Sequence, residues 1–300
     1  MTALHGGRKP SPSWVESGNR TIESVLFTEC VLMKMMCKRW SMRILKQFVP
    51  SRVYWSLLAW KVRNEEKEMQ LLPWLCDKSK VALDIGALGG SYSVHLVRYT
   101  KRCIAFEAVP STAERLRAKL MFCGDPRLQV ESTAIGDRSG EAQIRVPMRD
   151  MGRSTLAPTN SVGALGDLDI ISVPVRRLDD YQFGEPVGFI KIDVEGHEEA
   201  VLQGAKSLLA EDRPRLLIEI EERHNPGAIE RISVVLKSFG YSGYFFHAGL
   251  LEPLAHFDAA SDQCVGCLNG DPAQRTKYIN NFVFLLPEHH ENLRPLLKSM

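Results

Sequence analysis

An α/β domain is the fold the sequence predicts: a central, mainly parallel sheet between helices, with an antiparallel edge strand and a helical N-terminal appendage. Three observations carry this reading. Strand-like and helix-like segments alternate from Val81 onward, Val187 to Val194 is a nearly continuous apolar run of strand length, and strands end in glycine-containing turns that open helices. Strand, helix and strand in that order imply parallel strands joined by right-handed crossovers. A run that is apolar on both faces belongs at the centre of such a sheet.

In chain order, Met1 to Asn19 is rich in Gly, Pro and Ser without a compact apolar stretch, so residues 1–20 read as a disordered lead and not a secretory signal. Residues 21–75 are the expected appendage. There Met33, Met36, Trp40, Ile44 and Phe48 recur at helical spacing and Pro50 ends the helix, while Lys34, Lys38, Arg39, Arg43 and Lys46 interrupt it too often for a membrane span. Such a basic amphipathic helix docks on the following domain, forms a lid, or touches a membrane surface. A second helical stretch runs from about Trp55 to Leu75.

Residues 76–290 form the α/β domain. VALDIG, from Val81, reads as a strand, Ser91 to Tyr99 as a helix, and CIAFEA (Cys103 to Ala108) as the next strand. Ser111 and Glu114 match a capping box opening a helix that ends near Met121. A third strand, LQVESTAIG, starts at Leu128, and a Gly-, Ser- and Pro-rich stretch between about Arg149 and Leu168 reads as a long loop and candidate lid. After the apolar strand, Glu198 to Leu209 reads as one helix, Arg215 begins another strand, and Ile229 to Phe239 is an amphipathic helix stopped by Gly240 in a left-handed cap. Tyr244 to His247 and Asn281 to Leu286 lack a convincing helix between them, so they are expected to pair antiparallel at one edge.

With 300 residues, 44% hydrophobic and 25% charged, the chain has ordinary globular composition. A net charge of +2 is too small to mark a nucleic-acid surface, so no nucleic-acid partner is expected. The seven cysteines are odd in number and lie mostly singly in apolar segments, a pattern that suits reduced thiols in the cytoplasm. Cys264 and Cys267 form one C-x-x-C, but His256 is the sole nearby candidate for the further ligands a structural zinc needs, and no metal is expected.

In an open parallel sheet, ligands bind beyond the carboxyl ends of the strands. Three such places stand out. In Asp84-Ile85-Gly86-Ala87-Leu88-Gly89-Gly90 a strand ends in an acid and runs through glycines, yet Leu88 replaces the second glycine of a dinucleotide fingerprint and Asp84 repels phosphate. Glu107 ends the next strand about 20 residues later, where such folds hold ribose hydroxyls. The two acids together suit a nucleoside with a positively charged tail. Third, Asp193, Glu195 and His197 are bunched at the tip of the apolar strand, where acids stabilise the following helix or a base takes a proton from an attacking hydroxyl.

DIGALGGSYS, FEAVPS, VPVRRLDDY, FIKIDVEGHEEAVLQGA, RPRLLIEIEE and the terminal INNFVFL, in this order, resemble the FkbM-family methyltransferases over roughly Glu65 to Pro287. The resemblance implies a class I methyltransferase (Rossmann-like) fold, S-adenosyl-L-methionine as cofactor, and methylation of an oxygen on a sugar or natural-product-like hydroxyl, hence a small-molecule or glycan acceptor. It matches Asp84, Gly86, Ala87 and Gly89 to the cofactor loop and Glu107 to the ribose acid. Ala134 and Asp137 fall in the segment expected to pass the adenine, and Asp193, Glu195 and His197 in the central-strand motif. Two departures, Leu88 for a frequent Asn and Ala108 for the Pro of FEP, bear on the pocket rim.

The expected chemistry is a direct in-line displacement, with Asp84 on the cofactor's charged end, Glu107 on its ribose, His197 as proton acceptor, and Asp193 and Glu195 orienting it or the acceptor. Three alternatives stay open: a metal-assisted transfer with Asp193, Glu195 and Glu219 around Mg²⁺, a catalytically silent binding protein on the same fold, and a nicotinamide oxidoreductase, which the absent pyrophosphate glycine disfavours.

Overall fold

The computed structural model describes residues 66–158, 160, 166–264, 266 and 278–297. The expected lead, the helix from Met33 to Phe48 and Cys267 lie outside the described residues. Among the described residues no helix is long and apolar enough to cross a membrane.

Among the described residues eight strands form the main sheet: β1 (Val81–Ile85), β2 (Arg102–Phe106), β3 (Leu128–Glu131), β7 (Val187–Ile192), β8 (Arg215–Glu219), β9 (Ser242–His247), β10 (Leu250–Pro253) and β11 (Asn281–Leu285). Their order is β10-β9-β11-β8-β7-β1-β2-β3. The five strands from β8 to β3 run parallel, β11 is antiparallel to both β8 and β9, and β10 closes the edge as a hairpin with β9. A parallel sheet with one antiparallel strand inserted near its end is the class I methyltransferase arrangement. The expected edge pairing of Tyr244–His247 with Asn281–Leu286 is present, but Asn281–Leu285 is an interior strand and the edge belongs to β10.

Strand alternation divides the core into two layers. Val81, Leu83 and Ile85 join Ile190, Ile192, Val201, Ile232 and Leu236 on one face, and Ala82 joins Phe189, Leu217, Tyr92 and Leu96 on the other. The second layer also takes in Met69, Leu71, Leu72 and Leu75 from a 3₁₀ turn (Lys67–Leu71) and α1 (Leu72–Leu75). The helix expected up to Leu75 is, where described, these two short turns, with Pro73 at the start of α1. Their apolar side chains pack in the same layer as Ala82 and Phe189 of the sheet.

Two helical expectations change. Helix α3 (Pro110–Cys123) is entered through Val109 and Pro110 without a side-chain cap, so Ser111 and Glu114 form no capping box. The single helix from Glu198 to Leu209 is two, α4 (Glu198–Gln203) and α5 (Lys206–Glu211), broken at Gly204. A Cβ there would stand 1.9 Å from the carbonyl oxygen of Gly136, so backbone passes against backbone and the chain must turn. Helix α6 (Ala228–Ser238) does end as expected: Gly240 has φ +89°, and the amides of Gly240 and Tyr241 reach back to Lys237 and Leu236.

A second sheet was not foreseen. β4 (Ala134–Ile135), β5 (Gly140–Pro147) and β6 (Leu168–Arg176) pair in the order β4-β6-β5. The stretch read as LQVESTAIG therefore splits between the two sheets, and the loop around residues 149–168 is the connection between β5 and β6.

Candidate active site at the carboxyl ends of β1, β2 and β7

Helix α2 (Ser91–Leu96) follows β1 through the turn Gly86–Gly90. The amides of Gly86 and Ala87 donate to the carbonyl of Phe106 at 2.9 and 3.0 Å, which ties this turn to the end of β2. Gly86 has φ +84°, and a Cβ on it would lie 1.8 Å from the carbonyl oxygen of Asp193, so only glycine fits between the β1 and β7 loops. The amide of Asp193 donates to the carbonyl of Ile85 at 2.9 Å, completing that junction.

Glu107 stands at the end of β2, buried, in the wall of a cavity. Its Oε2 accepts from the amide of Leu88 and its Oε1 from the amide of Val109, each at 2.9 Å. Burial pushes its carboxyl up while these two donors and Arg115 pull it down. A carboxylate offers about four acceptor sites, so two backbone donors leave capacity for ribose hydroxyls. Beside it run Ile85, Phe106, Ile135, Ile144, Met151 and Leu156, an apolar slot of the kind a purine fills.

The tip of β7 supplies a further part of the wall: Asp193, Val194, Glu195 and His197. Glu195 and Gly196 are both left-handed, with φ +54° and +97°. The strained turn is pinned from the β5–β6 connection: Thr155 Oγ1 and Asn160 Nδ2 donate to the carbonyl of Glu195 at 2.7 and 2.8 Å. Burial, reinforced by Asp193 and Glu221 and opposed by Arg153, pushes the Glu195 carboxyl up to about 8. Burial pushes the His197 imidazole down, partly offset by Asp137, so its neutral form is favoured.

Behind this turn Lys191 is fully buried, donating to Asn281 Oδ1 at 3.1 Å, with its ammonium 3.9 Å from Asp193 Oδ2 and 3.8 Å from Glu219 Oε2. The nearby acids outweigh desolvation and hold its pKa above the ordinary lysine value. A cation of the protein itself thus sits between two of the three groups that the Mg²⁺ alternative requires. Among the described residues no group of three or more His, Cys, Asp or Glu side chains could hold a metal ion.

Of the residues read from the sequence, Gly86, Glu107, Ala134, Asp193, Glu195 and His197 line one cavity. Asp84, Ala87, Gly89 and Asp137 do not. Asp84 shares the sheet face of Ala82 and points under α2, where Ser93 Oγ donates to it at 2.5 Å. Burial pushes its carboxyl up to about 6 despite that hydrogen bond. It therefore lies buried beneath the turn, and Asp193 and Glu195 are the acids in the cavity wall besides Glu107. Ala87 is buried within the turn, Asp137 is exposed, and Gly89 offers its carbonyl to Lys119. Leu88 and Ala108, the two departures expected to bear on the pocket rim, are both in the wall, whereas Ile144, Met151, Ser154 and Leu156 in the wall and His224 behind it were not singled out by any sequence motif.

The model of the methyltransferase FkbM domain matches residues 84–242, more than half of the chain. The chain belongs to the FkbM methyltransferase family. Every residue of the cavity wall lies within that span, and the FkbM match ends just inside β9. No curated protein matches the sequence. Among solved structures, a methyltransferase FkbM from Methylobacillus flagellatus is similar at 17% identity and a TM-score of 0.45, over 81% of this chain and 57% of that one. The chain thus spans little more than half the length of that protein. An O-methyltransferase from Bacillus cereus in complex with SAH is similar at 17% identity and a TM-score of 0.38, over 74% of this chain and 79% of that one. An rRNA methylase from Streptococcus thermophilus is similar at 12% and 0.38, over 73% and 92%. At these scores the fold rests on the strand order itself.

Proposed function

We propose that this FkbM-family chain transfers the methyl group of S-adenosylmethionine to a hydroxyl oxygen of a small-molecule or glycan acceptor. The observation that carries the reading is one cavity with Glu107 and an apolar slot on one side and Asp193, Glu195 and His197 on the other. Glu107 holds the ribose hydroxyls, the slot from Ile85 to Leu156 takes the adenine, and Ala134 passes beside it. Acids suit a sulfonium and repel a diphosphate, which separates this ligand from a nicotinamide dinucleotide. The bound cofactor supplies an electrophilic methyl carbon; the protein contributes proximity, orientation and a base for the hydroxyl proton. Two groups of the wall can serve as that base, His197 and Glu195. A neutral-pH base matters for a hydroxyl acceptor, because the alcohol loses its proton during attack.

Titration calorimetry with S-adenosylmethionine, S-adenosylhomocysteine and NAD tests the reading. Binding of the first two, lost or weakened at least about tenfold in Glu107→Ala, is the expected result; binding of NAD alone would overturn it. A screen of alcohols and glycans with methyl-labelled S-adenosylmethionine then identifies the acceptor.

A further inference from the structure

Resting on that reading, we propose that Glu195 and His224 form the proton-accepting pair of the transfer, Glu195 receiving the hydroxyl proton and His224 positioning its carboxylate. His224 lies just after β8 and is 5% exposed. Its Nδ1 is 3.0 Å from Glu195 Oε2, close but off the line of a hydrogen bond, and such contacts often align only when substrate is bound. Its Nε2 faces Arg153 Nη2 at 3.5 Å. Arginine only donates, so Nε2 is the acceptor and Nδ1, on the Glu195 side of the ring, carries the hydrogen. Burial favours the neutral imidazole that this tautomer requires. On the far side Glu221 Oε2 lies 3.7 Å from Nε2 and accepts from Tyr278 at 3.1 Å, which fixes the back of the pair.

Position separates Glu195 from His197. A Cβ on Gly136 would come within 3.2 Å of His197 Nε2, so that imidazole edge lies against the segment between Ala134 and Asp137, on the adenine side of the cavity. Glu195 follows Asp193, whose backbone is locked to the β1 turn, and its own carbonyl is held by Thr155 and Asn160. In the transfer the hydroxyl oxygen bonds to the methyl carbon, the carbon–sulfur bond breaks with its electron pair on sulfur, and the proton passes to the Glu195 carboxylate. One negative charge and one sulfonium charge disappear together.

Carboxyl ¹³C NMR titration of the full chain in complex with S-adenosylhomocysteine tests this, with Glu195→Gln assigning the signal. Asp193 and Glu198 in its own turn, Glu221, Arg223 and His224 after β8, and Arg153 from the β5–β6 connection all face the Glu195 group. The expected midpoint is about 8. His224→Ala raises it by at least about one pH unit, because the donor to the charged form is lost, while His224→Gln and His197→Ala leave it in place. A midpoint in the ordinary carboxylate range, or the same midpoint with and without His224, would overturn the pair. The ¹⁵N spectrum of the unsubstituted protein is an independent check, since a hydrogen on Nε2 of His224 in place of Nδ1 excludes it. Failure of S-adenosylhomocysteine to bind at all refutes instead the function proposed above.

Discussion

At Gly86 one missing methyl group joins two loops. Its φ of +84° and the 1.8 Å separation of a Cβ from the Asp193 carbonyl leave no room for any side chain. Gly86→Ala is expected to destabilise the fold by more than about 3 kcal/mol, measured by denaturant unfolding, with loss of S-adenosylhomocysteine binding. Leu88 is the opposite case: it takes φ +45° with its side chain 44% exposed, reaching across the cavity mouth toward Gly152. Asparagine tolerates that conformation better, so Leu88→Asn gains up to about 1 kcal/mol of stability and opens the mouth, read as faster S-adenosylhomocysteine release. Glu107 was legible because spacing from the glycine turn names the residue that ends the second strand. Asp84 was half legible: the sequence shows an acid at a strand end, but the pleat turns it away from the cavity, a consequence of sharing parity with Ala82.

Among the elements, the β5–β6 connection was read as a lid because it is long and rich in Gly and Ser. Where described, it braces the turn at the tip of β7, through Thr155 and Asn160 on the Glu195 carbonyl. Removing both donors with Thr155→Val and Asn160→Ala leaves a left-handed glutamate without its anchors. S-adenosylhomocysteine binding is expected to persist while turnover with the acceptor falls on the order of 100-fold, the scale of loss for reacting groups displaced by about 1 Å. The flanking strands could have been read: Ala142, Ile144 and Val146, and then Ile171, Val173 and Val175, alternate with polar residues. His224 could not, because the turn that carries it meets Glu195 only through tertiary packing across 29 residues.

Across the whole molecule, buried acids set the response to pH. Burial raises Glu68 and Glu198 from 4.5 to about 7, and Glu195 to about 8. Between its unfolded and folded values such a group holds more protons in the folded state, so stability falls as pH rises through that window. His197 and His224, whose burial lowers them, and His289, lowered to about 4, do the reverse and cost stability as pH falls below 6.5. The two slopes oppose each other between about 4.5 and 6.5, and above 6.5 the acids alone remain. Thermal unfolding is therefore expected to show a melting temperature that declines from pH 6.5 to 8, with a shallower decline in Glu195→Gln; a flat profile would contradict the buried charges.

The backbone junction at Gly86 and Asp193 also has a kinetic reading. Because the glycine turn after β1 and the tip of β7 are welded into one block, the proposed transfer requires neither substrate to build the other's seat on arrival. Initial-rate plots at varied concentrations of both should intersect, and product inhibition should follow a random rather than a compulsory sequence of addition.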